Sequence, residues 1–72
     1  MKLHIFKTDI KSDKKLRDVR SVFNDHPRIT FWTVDTEDID NVLKIVAYDD
    51  LSEGEIFHLI RTRGYHCEEL AS

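Results

Sequence analysis

The amino-acid sequence predicts one small α+β domain with the element order βαββαβ. Two segments repeat apolar residues at the spacing of an amphipathic helix, and four short segments are rich in alternating apolar, β-branched or aromatic residues. The chain of 72 residues contains one proline and two glycines, and no linker or repeat divides it. We therefore predict a single domain over residues 1–72.

The first two elements lie on either side of a lysine-rich turn. Residues 2–9 alternate imperfectly between apolar and polar side chains, which predicts strand β1 but leaves open which face is buried. From Asp13 to about His26 the apolar residues have helical spacing and predict helix α1, capped by Ser12 or Asp13. Pro27 is expected to end this helix, because a proline disfavours helical backbone in the residue before it.

The next two strands are close enough in sequence to pair as a hairpin. Residues 28–35 are rich in β-branched and aromatic side chains and predict β2. Residues 42–48 are mainly apolar and predict β3, and the polar segment 35–41 connects the two strands. This connection lacks the central glycine and the distal glutamate of a calcium-binding loop, so we expect a solvated turn.

The second helix has the strongest local signal in the chain. Ser52 and Glu55 have the spacing of a capping box, in which side chains bind the free N–H groups of the first helical turn. Gly64 is placed to end the helix, so we predict α2 between Ser52 and Gly64. Residues 65–70 remain as a short strand, β4.

This order of elements predicts a ferredoxin-like sandwich, with a four-stranded antiparallel sheet in the order 4-1-3-2 and both helices on one face. The β1–α1 turn, the β2–β3 connection and the α2–β4 turn then lie at one end of the sheet. We therefore expect the lysines of the first turn to meet the carboxylates of the hairpin. These residues are Lys11, Lys14 and Lys15 on one side, and Asp35, Glu37, Asp38 and Asp40 on the other.

Composition argues against several functional classes. The 11 Lys and Arg against 14 Asp and Glu residues give a net charge of −3, and no face is basic enough to bind nucleic acid. One cysteine cannot form an internal disulfide, and no apolar run is long enough for a signal peptide or a membrane span. We expect a cytoplasmic protein that does not contact a membrane. Because the sequence contains no Ser/His/Asp or Cys/His arrangement and no glycine-rich phosphate loop, we expect no enzyme activity and no cofactor.

Three residues of the β1–α1 turn indicate a family. Ile10, Ser12 and Lys15 have the spacing of an M-x-C-x-x-C motif, and a matching apolar pattern continues over nearly the whole chain. In these features the sequence resembles the heavy-metal-associated (HMA) domains of copper chaperones and metal-transporting ATPases. The resemblance implies a metal site in this turn, with Tyr65 and His66 nearby. Ser12 and Lys15 stand at the two cysteine positions, and since soft thiolates select Cu(I), the usual dithiolate site cannot form.

Other side chains do not replace the missing thiolates. In the resemblance Cys67 falls at a core-facing position of β4, and we expect it to be buried rather than to bind metal. His26 and His58 have no partner at ligand spacing, and His4 and His66 lie too far apart along the predicted β1–β4 ladder to share an ion, so we expect the histidines at surface or boundary positions. Two alternatives stay open: a weak or non-standard metal site in the same turn, and binding of an anion by Lys11, Lys14 and Lys15 at the α1 N-terminus.

The open face of the sheet carries the clearest functional signal. If alternate residues of β2 and β3 face the helices, four apolar side chains lie together on the other face. A monomer does not normally expose an apolar patch of this size. We therefore expect a small non-enzymatic interaction or regulatory module, degenerate in its metal site, that binds a protein partner or forms a homodimer through this face. The four residues are Phe31, Val42, Val46 and Tyr48.

Overall fold

The six predicted elements follow one another in residues 1–70, the part of the chain that the computed structural model describes. Residues 71 and 72 of the predicted domain lie outside it. The elements are β1 (Lys2–Thr8), α1 (Asp13–Asn24), β2 (Ile29–Asp35), β3 (Val42–Ala47), α2 (Glu53–Thr62) and β4 (Cys67–Glu69). The strands form one antiparallel sheet in the order β2-β3-β1-β4, which is 4-1-3-2 when it is read from the opposite edge. Neither helix is long and apolar enough to cross a membrane.

Both helices begin at a serine. The Ser12 Oγ accepts a hydrogen bond of 3.2 Å from the backbone N–H of Lys15. The Ser52 Oγ accepts one of 3.2 Å from Glu55, at the spacing that predicted the start of α2. Each cap satisfies an N–H group that the first helical turn leaves without a partner. Gly64 follows α2 with φ at 85°, a left-handed conformation that glycine adopts without strain.

Helix α1 is shorter than predicted. It ends at Asn24, whereas the periodicity of apolar residues suggested His26. The His26 N–H bonds the Phe23 carbonyl oxygen at 3.2 Å, and the His26 Nδ1 accepts a hydrogen bond from the backbone N–H of Arg28. These bonds form a tight turn into β2, so α1 ends at Asn24, three residues before Pro27.

Strand β4 is also shorter than predicted, because the residues before it belong to the turn. The Tyr65 N–H still bonds the carbonyl oxygen of Ile60, at 3.4 Å. The His66 N–H donates to the Asp9 carboxylate at 2.9 Å instead of to a neighbouring strand. Pairing with β1 therefore starts only at Cys67.

One hydrophobic core lies between the two helices and one face of the sheet. On β1 the buried residues are His4, Phe6 and Thr8, so Leu3 and Ile5 lie on the open face. The structure thus shows which face of β1 is buried, which the sequence had left open. The buried apolar residues of the core are Phe6, Ile10, Val19, Phe23, Leu43, Ile45, Ala47, Leu51, Ile56, Ile60 and Cys67.

Candidate functional site

The β1–α1 turn, where the resemblance places a metal site, is held by structural contacts. Ile10 is fully buried and Ser12 caps α1. The Lys15 ammonium donates a hydrogen bond of 3.3 Å to the backbone oxygen of Asp9 and lies 6.0 Å from the centre of the Tyr65 ring. The described part of the chain contains no group of three or more His, Cys, Asp or Glu side chains placed to hold a metal ion.

Tyr65 and His66 interact with carboxylates of their own chain. The Tyr65 hydroxyl donates a hydrogen bond of 2.6 Å to Asp18, whose other carboxylate oxygen lies 3.1 Å from the Arg63 guanidinium. This bond to Asp18 is the main cause that raises the pKa of Tyr65 above 10.0. The His66 Nε2 lies 3.1 Å from the Glu68 carboxylate. Both side chains are therefore engaged in contacts that join the α2–β4 turn to its neighbours.

The lysines of the β1–α1 turn do not pair with the hairpin carboxylates, so this expectation was wrong. Within the residues that the structure describes, Lys11, Lys14 and Lys15 form no ion pair. It is Lys7 that pairs with Asp40, at 3.4 Å. Two other hairpin carboxylates accept hydrogen bonds from backbone N–H groups of their own turn. Asp35 and Asp38 thus bind their own turn and Asp40 pairs with β1, and none of these contacts involves the three lysines.

The predicted open-face residues do lie on the face that the helices leave uncovered. Val42 and Val46 are half-buried and alternate along β3 with core residues. Phe31 lies directly opposite Val46 in the β2–β3 ladder and is 59% exposed. Tyr48 is 43% exposed and follows β3. The structure therefore brings these four side chains to one side of the sheet.

Strand β1 adds two residues to this face that the sequence analysis did not assign. Leu3 is 53% exposed and lies opposite Val46, so Leu3, Val46 and Phe31 form one row across three strands. Ile5 continues the apolar surface in the next row. Their alternation was visible in the sequence, but both faces of β1 carry apolar residues and the pattern could not show which one is exposed. We call this surface the open-face patch: Leu3, Ile5, Phe31, Val42, Val46 and Tyr48.

Lys44 is the charged residue at the centre of the open face. It lies opposite Ile5 on β1 and opposite Thr33 on β2. Its neighbours on the same side of β3 are Val42 and Val46. Its ammonium is exposed and forms no ion pair within residues that the structure describes, so a positive charge stands inside an apolar surface.

Cys67 is buried, as the sequence analysis expected. It is 1% exposed, and burial raises the pKa of its thiol from 9.0 to about 11. The thiol is therefore protonated at neutral pH, and metal ions and electrophiles react with the thiolate rather than with the thiol.

The structure brings His26 and His58 together, which the sequence analysis did not foresee. Both line a surface groove of ≈ 390 Å³ whose walls include Leu51 and Leu59. The His26 Nδ1 accepts the N–H of Arg28, so the neutral ring carries its proton on Nε2. The two residues lie 32 positions apart in the sequence, and no periodicity links them. Two imidazoles alone do not supply the three or four protein ligands of a zinc site.

Comparison with protein-family models, curated protein sequences and solved structures found no match. The resemblance to HMA domains therefore stays a prediction that depends on the β1–α1 turn and the apolar pattern. The open-face patch, in contrast, depends only on the geometry of this chain.

Proposed function

We propose that this chain is a small non-enzymatic interaction module that holds a protein partner on the open face of its sheet. The observation that carries this proposal is the apolar row of Leu3, Val46 and Phe31 across three strands. Leu3 and Phe31 are 53% and 59% exposed. Burial of apolar surface stabilises a complex by about 25 cal/mol per Å², so a partner that covers this row gains binding free energy.

The charge at the centre of the face selects the chemistry of the partner. A face-to-face homodimer with its two-fold axis near Lys44 would bring two ammonium groups together, and such like-charge contacts cost several kcal/mol. A partner with a carboxylate opposite Lys44 would instead form an ion pair in a partly desolvated surface. The partner that fits this face is an apolar protein segment that carries an acidic residue.

The proposal is consistent with a ferredoxin-like fold and with an origin in the HMA family. The element order supports a ferredoxin-like sandwich, and the spacing of Ile10, Ser12 and Lys15 supports an HMA-like domain that has lost its dithiolate. Metal transport by a non-standard site has less support, because Ser12 caps α1 and the Lys15 ammonium donates to a backbone oxygen. Binding of an anion by the three lysines of this turn has less support as well, because the Lys15 N–H at the start of α1 already donates to the Ser12 Oγ.

Affinity capture with matched baits tests the proposed surface. Val46→Lys puts an ammonium into the apolar row, as a second one on the open face beside that of Lys44, whereas Phe57→Lys makes the same kind of change on α2, where Phe57 is 38% exposed. We expect a protein that the wild type and Phe57→Lys retain and that Val46→Lys loses. Lys44→Glu should lose it as well, because the carboxylate of the partner would then meet a like charge. If all four baits retain the same proteins equally, the open-face patch is not the binding surface.

Restoring the two cysteines tests the proposed origin of the turn. The double variant Ser12→Cys, Lys15→Cys places two thiolates at the family spacing, and we expect it to bind one Cu(I) per chain against a competing thiol. The wild type, with its single buried cysteine, should lose copper to the same competitor, as should Ser12→Cys alone. A double variant that folds but binds no copper would show that the turn is not aligned with the family motif.

A further inference from the structure

Strand β2 is an edge of the sheet, and none of its 7 residues is buried. It pairs with β3 alone, so the backbone groups on its outer side have no strand partner in the described part of the chain. Residues 29–34 are Ile, Thr, Phe, Trp, Thr and Val, without a charge or a proline. Natural proteins normally shorten, charge or cover an edge strand of this composition, because it pairs readily with another strand.

The opposite edge is protected in the usual way. Strand β4 has 3 residues, and two of them are exposed glutamates. Strand β2 has one bulge, between Ile29 and Phe31, and residues 31–35 pair in regular register with β3. The sheet therefore has one blunted edge and one edge that is available for pairing.

We infer that two copies of this chain associate by antiparallel pairing of β2 with β2. Arg28 precedes the strand and Asp35 ends it. Antiparallel pairing about a two-fold axis brings Arg28 of each copy beside Asp35 of the other, so two such contacts form. Parallel pairing would put like charges together at both ends, which is unfavourable. The charges at the ends of β2 are thus complementary to a second copy of the same strand.

Both end residues have capacity for the additional contact. Arg28 binds Asp50 of its own chain at 2.9 Å, but its side chain is 54% exposed and its guanidinium has five N–H donors. The Asp35 Oδ1 accepts two hydrogen bonds from backbone N–H groups of its own turn, and a carboxylate has a second oxygen. Neither residue has to leave its contacts within the chain in order to reach the second copy.

The pairing joins two sheets into one and uses a surface other than that of the proposed function. Phe31 lies on the open side of β2, so each copy places one exposed phenyl ring beside the junction. The open-face patches of the two copies become neighbours on the same side of the joined sheet. The inference does not rest on the proposed function, because the edge pairs whether or not the open face binds a partner.

Charge reversal on separate chains tests the pairing by sedimentation. The wild type should associate with increasing concentration, and Arg28→Glu and Asp35→Lys should each weaken the association by about tenfold or more, because two like-charge contacts replace two ion pairs. An equimolar mixture of the two variants should associate again, since both contacts between unlike chains are then oppositely charged. Circular dichroism of each variant alone shows that it is folded. A wild type that stays monomeric, or a mixture that associates no better than its components, overturns the inference.

A spin label identifies the surface that pairs. Thr36 is exposed and lies just beyond β2, so a label on Thr36→Cys does not occupy the strand, and Cys67 is too buried to compete for the label. When the labelled chain is mixed with isotope-labelled wild type, we expect line broadening of the wild-type amides at residues 28–30. Broadening at Leu3 and Val46 instead would mean that copies associate through the open face, and it would overturn edge pairing.

Discussion

At the scale of single residues, His4 is the polar side chain that fits the core least well. It is 5% exposed and stacks on Phe6 with 6.5 Å between the ring centres. Its Nε2 has no hydrogen-bond partner among the residues that the structure describes. A buried polar atom without a partner costs about 1–3 kcal/mol. The domain therefore carries an unfavourable contribution to its stability at this position.

Replacing this imidazole should stabilise the protein. We expect His4→Leu to raise the free energy of unfolding by about 1 kcal/mol, because leucine has no polar atom to leave unsatisfied. Urea denaturation measures the change, and His58→Leu, at an exposed position on α2, is the matched control with no expected effect. A loss of stability in His4→Leu would mean that the Nε2 has a partner, such as a buried water molecule, in solution.

Cys67 makes stability depend on pH in the alkaline range. Its thiol has a pKa of about 11 in the folded chain, because burial disfavours the thiolate, against 9.0 as its ordinary value. Between these values the unfolded chain binds fewer protons than the folded chain, so the free energy of unfolding falls as pH rises. We expect Cys67→Ala to remove this part of the pH dependence in denaturation curves recorded from pH 8 to pH 11.

A second group with a raised pKa provides the comparison for this measurement. The pKa of Tyr65 is raised, mainly by the hydrogen bond to Asp18. Titration of Tyr65 therefore also lowers the free energy of unfolding as pH rises. Tyr65→Phe should therefore leave the contribution of Cys67 in place while it removes its own. An unchanged alkaline slope in Cys67→Ala would show that the thiol does not stay protonated in the folded chain.

At the scale of elements, local sequence signals predicted where helices begin better than where elements end. The Ser52 cap on the Glu55 N–H is present as predicted, since it needs only residues three positions apart. The ends of α1 and β4 depend on bonds that no pattern encodes. Residue His26 bonds two backbone neighbours, and His66 bonds Asp9 from a distant turn.

The candidate site was predictable to the same extent. Alternation placed Phe31 and Val46 on one face, and their pairing in the ladder agrees with it. The face of β1 could not be predicted, because the buried side contains the polar His4 and the exposed side contains Leu3. Hydrophobicity alone would have placed Leu3 in the core and His4 on the exposed side. Long-range charge contacts were predicted worst, since Asp35 and Asp38 bind their own turn and Asp40 pairs with Lys7 rather than with a lysine of the β1–α1 turn.

At the scale of the whole molecule, the domain is a sheet with one covered and one uncovered face. The helices and the buried face of β3 supply most of the core, which includes Leu43, Ile45 and Ala47. The open-face patch lies on the face of the sheet that no helix covers, and the outer edge of β2 has no strand partner in the described part of the chain. A domain of this size buries only about 60% of the surface of its unfolded chain, so its stability depends on the covered face. The uncovered face is then available for binding without loss of the fold.

Two neighbouring residues of β3 test this separation between stability and binding. Ile45 is fully buried and Val46 is half-buried on the opposite face. Ile45→Lys puts an ammonium into the core without a partner, and we expect it to cost more than about 4 kcal/mol and to unfold most of the protein. Val46→Lys keeps its ammonium in water, and we expect a change of less than about 1 kcal/mol.

Urea denaturation followed by the fluorescence of Trp32, the one tryptophan of the chain, compares both variants with the wild type. We expect Val46→Lys to fold and to lose its partner in affinity capture. We expect Ile45→Lys not to fold. If Val46→Lys is destabilised as much as Ile45→Lys, the open face is packed against something in solution and contributes to the fold itself. The loss of binding in Val46→Lys could then no longer be attributed to an interface, because it would follow from unfolding.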